Sequence, residues 1–164
     1  MANQRISELT AVVTPALTDT YVCVQANTTK KIGFDQIIEG IPAELLLPCS
    51  DESTSLTTGA AKLTFRMPYA MNVTEVRASV NTAPTGADIE VDINDAGFSI
   101  LSTVITIEDS EKSSLTALTQ PVISHNLLAD DAEITIDIDQ VGSTIAGKGL
   151  KVVIIGTRIL PFVS

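Results

Sequence analysis

The chain has 164 residues, which is enough for one domain with a substantial hydrophobic core. Hydrophobic residues make up 45% of it and aromatic residues only 4%, and 20 acidic against 10 basic residues give a formal net charge of −10. This charge argues against a nucleic-acid partner, because phosphate neutralisation needs clustered Lys and Arg, and it also disfavours anionic membranes. The sequence has no apolar run of about 18 residues and no apolar secretory core near its start, so we expect a soluble chain without a membrane partner.

Residues 1–50 are predicted to form an N-terminal arm. Short strands are expected at 21–24 and 31–34, with Asn27 in the turn between them, followed by a helical turn that Asp35 would cap. A two-stranded hairpin with one helical turn buries too little surface to be stable alone. We therefore expect the arm to dock on its own domain, on sister chains or on a larger partner.

Three short motifs in this arm resemble the N-terminal attachment segment of tailed-bacteriophage virion proteins. They are I-S-E-L-T at 6–10, T-D-T-Y-V-C-V-Q at 18–25 and T-T-K-K-I-G-F-D-Q-I at 28–37. That family includes capsid decoration proteins, head fibres, tail fibres and tailspikes, and the resemblance implies a homotrimer fixed to the particle by this end. The attachment residues that it implies are Ile6, Leu9, Tyr21, Val24, Lys30, Lys31, Ile32 and Phe34.

Residues 51–164 are predicted to form an all-β body. Ile alternates with Glu, Thr and Asp through 133–139, and 88–94 has the same period of two, which is typical of strands with one buried and one solvated face. Further strands are expected at 61–67, 71–80, 98–107, 121–123 and 150–155, the last as a β-branched run buried on both faces or inside a sandwich. The apolar positions change parity between Val73 and Val76, which predicts a β-bulge.

These short strands predict a two-sheet antiparallel sandwich, jelly-roll-like, preceded by the extended arm with its hairpin and short helical turn. Four stretches of the body also resemble domains that recur at the C-terminal end of phage fibre and decoration proteins. They are L-T-F-R-M-P-Y-A-M at 63–71, I-E-V-D-I-N at 89–94, S-I-L-S-T at 99–103 and A-E-I-T-I-D-I-D-Q-V-G-S at 132–143.

The residues that could carry chemistry do not assemble into a known motif. His125 is the only histidine and lacks a nucleophile–base–orienter pattern, so we predict no enzyme. Cys23 and Cys49 are expected to be buried thiols rather than a disulfide or metal ligands. The alternating acids fit a solvated sheet face; calcium between acidic strands is the alternative, but no ligand loop is recognisable, so we predict no cofactor. Most aromatic residues are expected in the core, which disfavours a sugar platform.

The apolar C-terminal residues Leu160, Phe162 and Val163 are expected to pack either on the body or on a neighbouring subunit. Together these features predict a non-enzymatic virion structural protein, made in the host cytoplasm and placed on the virion surface. Its partners would be copies of itself and other virion proteins, such as the major capsid or tail protein. We favour a capsid decoration (cement) or head-fibre protein; the alternative is a tail fibre or tailspike module that binds a host-surface receptor, for which host glycan would be the partner.

Overall fold

The computed structural model of the chain describes residues 16, 19–39 and 41–159. The described residues fall into two compact units, one before residue 40 and one that spans Ile41–Ile159. We call residues 19–39 the hairpin unit and residues 41–159 the body.

The hairpin unit consists of two antiparallel strands and one short helix. Strand β1 (Thr20–Gln25) pairs along its whole length with β2 (Thr28–Gly33), and helix α1 (Phe34–Glu39) follows directly. Ala26 and Asn27 form the two-residue turn with φ values of 50° and 60°, the left-handed pair that a type I′ hairpin turn requires. The predicted hairpin, its turn at Asn27 and the helical turn are therefore confirmed.

The body is built almost entirely from antiparallel strands. Those described are β3 (Pro42–Pro48), β4 (Gly59–Arg66), β5 (Met71–Ser79), β6 (Ile89–Asp95), β7 (Phe98–Ser99), β8 (Leu101–Thr103), β9 (Ile105–Ile107), β10 (Val122–Ile123), β11 (Leu127–Leu128), β12 (Glu133–Gln140) and β13 (Lys151–Arg158). Sheet one has the order β11-β5-β13-β3, and sheet two has the order β4-β12-β6-β7, with β9 also paired to β6. A small β8–β10 pair and a 3-10 turn (Ser114–Thr116) complete the body.

This strand order is that of a jelly roll. In chain order β3, β4, β5 and β6 alternate between the sheets, β9 returns beside β6, and β11, β12 and β13 alternate again. The late strands therefore insert between the early ones: β13 lies between β5 and β3, and β12 lies between β4 and β6. The predicted antiparallel sandwich is confirmed, including its jelly-roll character.

The boundary between the two units differs from the predicted one. We expected the arm to extend to residue 50, but β3 pairs with β13 from Pro42 to Pro48 and belongs to sheet one. The body therefore begins at Ile41. Because the two prolines flank an unpatterned run of three leucines, the sequence offered no alternation from which this strand could be predicted.

The alternation of isoleucine with polar residues in β12 places three isoleucines in the core. Ile134, Ile136 and Ile138 are fully buried, and they pack in one cluster with buried residues of sheet one such as Val152 and Ile154. Burial of a side chain of this size contributes about 1.5–3 kcal/mol relative to leaving it in water, so this one strand anchors much of the interior.

The predicted bulge lies in β5. Ile155 pairs with Glu75 but the next residue, Gly156, pairs with Val73, so Thr74 is the extra residue on β5. This shift restores the inward direction of Val73 on one side and Val76 on the other, and both are buried.

Candidate functional site

The hairpin unit has one closed face, on which several predicted attachment residues pack against each other. Tyr21 lies directly across from Ile32, and the Tyr21 and Phe34 rings are 6.1 Å apart between centroids. The Phe34 N–H donates to the carbonyl of Asp19 at 2.8 Å, which fixes the start of α1 against β1. Tyr21, Ile32 and Phe34 thus hold the hairpin unit together, and Lys30 on the same face donates to Gln25 at 3.0 Å.

The opposite face of the hairpin is open and carries two exposed valines. Val22 and Val24 are 79% and 71% exposed, and Lys31, directly across from Val22, lies on this face with them. Isolated exposed valines are ordinary, but two on one face of a two-stranded sheet form a continuous exposed apolar strip. Val24 and Lys31 were predicted as attachment residues. Val22 was missed, although the period of two already places it on the face of Val24.

A second candidate lies on the body at the turn between β6 and β7. Asp95, Ala96, Phe98, Ser99 and His125 line an open groove of about 400 Å³. Phe98 is 79% exposed. None of the five aromatic residues that the structure describes is fully buried, so the expectation that most of them lie in the core is wrong. Phe98 is exposed because of its place in a tight two-residue hairpin: Ala96 and Gly97 have φ values of 49° and 85°, and the ring at the end of this turn projects away from the sandwich.

The polar groups that line this groove include an exposed imidazole and a carboxylate. His125 Nε2 and Asp95 Oδ2 are 3.8 Å apart, too far for a direct hydrogen bond and suited to a group that bridges them. The Ser99 hydroxyl is already used, because it donates to Asp92 at 2.6 Å. An apolar ring beside a carboxylate and an imidazole can bind a ligand, but the groove lacks an activated nucleophile.

The outer face of sheet two carries the acidic side chains. Asp92 and Asp137 lie directly across from each other on β6 and β12, and each carboxylate accepts a hydrogen bond, Asp137 from the Ala61 N–H at 2.7 Å and Asp92 from Ser99. Desolvation, followed by the charges of Asp92 and Asp137, raises the pKa of the nearby Asp139. Within the described residues, no group of three or more His, Cys, Asp or Glu is arranged to hold a metal ion.

Comparison with family models, with curated proteins and with solved structures finds no match for this chain. The resemblance to phage virion proteins therefore stays a prediction, and the functional assignment rests on the surfaces described above. In the part of the chain that the structure describes, no helix is long and apolar enough to cross a membrane.

Both cysteines are free thiols, as predicted. Cys49 is buried and Cys23 half-buried, so only the first fully meets the expectation of a buried thiol. Burial raises the pKa of Cys49 to about 11, although a backbone hydrogen bond with Val152 partly opposes this shift. A thiol with this pKa is almost wholly protonated at neutral pH, which makes Cys49 a packing residue.

Several predicted contact residues lie outside the described residues. These are Ile6 and Leu9 of the attachment motif and the C-terminal residues Leu160, Phe162 and Val163. Their predicted roles are neither confirmed nor contradicted.

Proposed function

We propose that this chain is a non-enzymatic structural protein of a bacteriophage particle, a capsid decoration or head-fibre protein that self-associates. Its N-terminal segment attaches it to the virion surface, to the major capsid protein or another virion protein, and the jelly-roll body projects outward. We propose the host cytoplasm as the place of its synthesis.

The observation that carries this proposal is the hairpin unit. It is a compact unit separate from the body, its two-stranded sheet is too small to be stable without a partner, and one face exposes Val22 and Val24. Such an element gains stability when its open face is covered, which is the behaviour expected of an attachment device. The resemblance of residues 18–37 to phage attachment segments supports a virion protein as that partner.

Deletion of residues 1–40 tests attachment. We expect the remaining body to fold, with an unchanged β-sheet circular dichroism spectrum, and to be lost from purified particles. A finer test replaces Val22 and Val24 with Glu, which should also abolish incorporation, while Thr28→Glu on the opposite face serves as the control. Normal incorporation of the deletion variant would refute attachment by this end.

The groove at Phe98 supports a second candidate function, a tail fibre or tailspike module that binds a host-surface receptor. Saccharides present apolar ring faces and paired hydroxyls, which suit an exposed aromatic ring beside a carboxylate and an imidazole. Glycan-array binding by the full chain that is lost in Phe98→Ala would favour this role. Absence of binding to the array, together with capsid-located density in particle images, would favour the decoration role.

A further inference from the structure

The exposed hydrophobic residues of the body are concentrated beside the two edges of sheet one. Among the described residues, the body carries eight exposed large hydrophobic side chains; two of them lie on or next to β3, and four lie in β11, in β10 or in the loop that runs beside β5. The six are Ile41 and Leu46 at the β3 edge, and Leu115, Leu118, Val122 and Leu127 at the β5–β11 edge. We call the first group the strand edge and the second the loop edge.

The strand edge extends onto the outer face of sheet one. Leu46 is 65% exposed and lies directly across from Val153 on β13, whose outward side chain is only half-covered. The β-branched run of β13 was expected to be buried on both faces or inside the sandwich. The structure buries Val152 and Ile154 inside the sandwich and leaves Val153 and Ile155 facing outward.

The loop edge displays three leucines and a valine, most of them on a segment with many internal hydrogen bonds. β11 covers β5 only at Met71 and Asn72, and further along the Val80 N–H donates to the Lys112 carbonyl at 2.9 Å, so residues 112–123 run along the rest of the edge. Leu118 projects from this segment and is 93% exposed. Several internal hydrogen bonds hold this segment in place. A partner that binds it therefore does not have to supply the free energy needed to order the loop.

Those bonds come mainly from one side chain. The Gln120 amide donates to the carbonyls of Ala117, Ser114 and Leu115 at 2.7, 3.2 and 3.4 Å. The Leu118 N–H donates to Glu108 at 2.9 Å. A loop this well fixed, whose most projecting residue is a leucine, has the structure of a preformed contact.

We infer that the strand edge of one copy of this chain binds the loop edge of the next, so that copies join head to tail. The proposal rests on the self-association in the proposed function and names its interface. A two-fold contact would use one edge twice and leave the other exposed, whereas a head-to-tail contact covers both edges of every copy when the ring closes. A stable contact needs about 800 Å² from each partner.

Charge also favours these edges. Two copies that each carry a net charge of −10 repel one another, and the outer face of sheet two, with Asp92, Asp137 and Asp139, is the worst place for them to meet. On the outer face of sheet one, Glu75 pairs with Arg77 and Lys151 pairs with Glu52, so that Glu44, across from Ile155, is the one acid there without an ion pair among the described residues. Association should therefore strengthen as salt screens the remaining repulsion.

The pairing of opposite edges gives a sharp test by analytical ultracentrifugation of the full chain. Leu46→Glu and Leu118→Glu should each raise the dissociation constant at least tenfold, since each buries a charge in place of an exposed leucine. Ile145→Glu is the control and should assemble normally, because this exposed aliphatic residue pairs with Thr85 and belongs to neither edge. An equimolar mixture of the Leu46→Glu and Leu118→Glu chains should form a 1:1 dimer and stop, because each variant keeps one intact edge.

Each of the other outcomes would refute a defined part of the proposal. Two monomeric variants that stay monomeric when mixed would refute the pairing of these two edges. Loss of association in only one of the variants would show a two-fold contact through that edge and would also refute the head-to-tail interface. Normal assembly by both variants would refute the interface while leaving self-association intact, and a parent chain that is monomeric at every concentration would refute both. If the Leu118→Glu chain still self-associates but is no longer incorporated into particles, the loop edge binds another virion protein and not a second copy.

Discussion

A single methyl group at Gly156 should damage the fold, because this glycine lies against the backbone of β5. A Cβ atom at Gly156 would lie 2.1 Å from the Asn72 carbonyl oxygen and 2.9 Å from Val73 Cα, and its distance to that oxygen is 0.9 Å short of the 3.0 Å that real Cβ atoms essentially always keep. Both neighbours are backbone atoms of β5 beside the bulge, so they cannot rotate away. Overpacking costs about 1–3 kcal/mol, and a weakened ladder hydrogen bond adds about 1 kcal/mol, so Gly156→Ala should lower the free energy of unfolding by about 3 kcal/mol.

Urea unfolding followed by circular dichroism measures this loss, which should appear as a lower midpoint with an unchanged m value. Gly97→Ala is the matched control, because a Cβ there meets no atom within 4 Å and only its φ of +85° is unfavourable. That left-handed backbone should cost about 1 kcal/mol. If Gly156→Ala lowers the free energy of unfolding by no more than Gly97→Ala, the backbone at the bulge in β5 can move to accommodate a side chain. The close approach of the two strands would then not explain why residue 156 is a glycine.

Three further predictions concern single side chains. Because burial raises the pKa of Cys49 to about 11, iodoacetamide at neutral pH should label the half-buried Cys23 in the native chain and spare Cys49; peptide mapping that finds equal labelling would contradict this. Because desolvation and the charges of Asp92 and Asp137 raise the pKa of Asp139, the folded chain holds this proton more tightly than the unfolded chain, so the ionised carboxylate lowers stability above the folded pKa. Asp139→Asn should then raise the free energy of unfolding at pH 7, by at most a few tenths of a kcal/mol after solvent screening. This gain should vanish at pH 3, which is below the unfolded pKa of about 3.9. An equal gain at both pH values in urea titrations would be inconsistent with this cause. Gln120→Ala removes the donor to three loop carbonyls, so limited proteolysis should cut residues 114–121 faster while the unfolding midpoint changes little; unchanged protection would show that the loop is held by other contacts.

The sheets could be predicted because their inward positions alternate with polar ones. The isoleucines of β12 and β6 give the period of two directly, and the change of parity around Thr74 predicts the bulge that the structure contains. Where that pattern is absent the prediction fails: three consecutive leucines in β3 have no alternation, so the strand was assigned to the arm. Strand order was beyond prediction, because the contacts that decide it join residues far apart in the chain, such as β3 with β13.

The candidate surfaces were harder to predict because they depend on which outward residues come together. Phe98 has an apolar aromatic side chain of the kind usually found in a core. Only the tight turn at Ala96 and Gly97 makes it a surface residue. The exposed leucines at 115 and 118 lie in a stretch without a periodic pattern, and a side chain from the same loop, Gln120, fixes them. Sequence patterns report burial along one element, whereas these surfaces arise between elements.

The contrast between the two outer faces of the jelly roll bears most directly on function. In this fold the inward positions are committed to the core, so the outward positions are free to differ without loss of stability. Sheet two places Asp92 and Asp137 outward, which suits water and repels a second copy, whereas sheet one places Val153 and Ile155 outward beside the exposed Leu46. A body that only needed to be soluble would gain from polar residues on both faces. The aliphatic residues on one face therefore indicate a surface for contact, and the open valine strip of the hairpin indicates a second such surface in a different unit of the same chain.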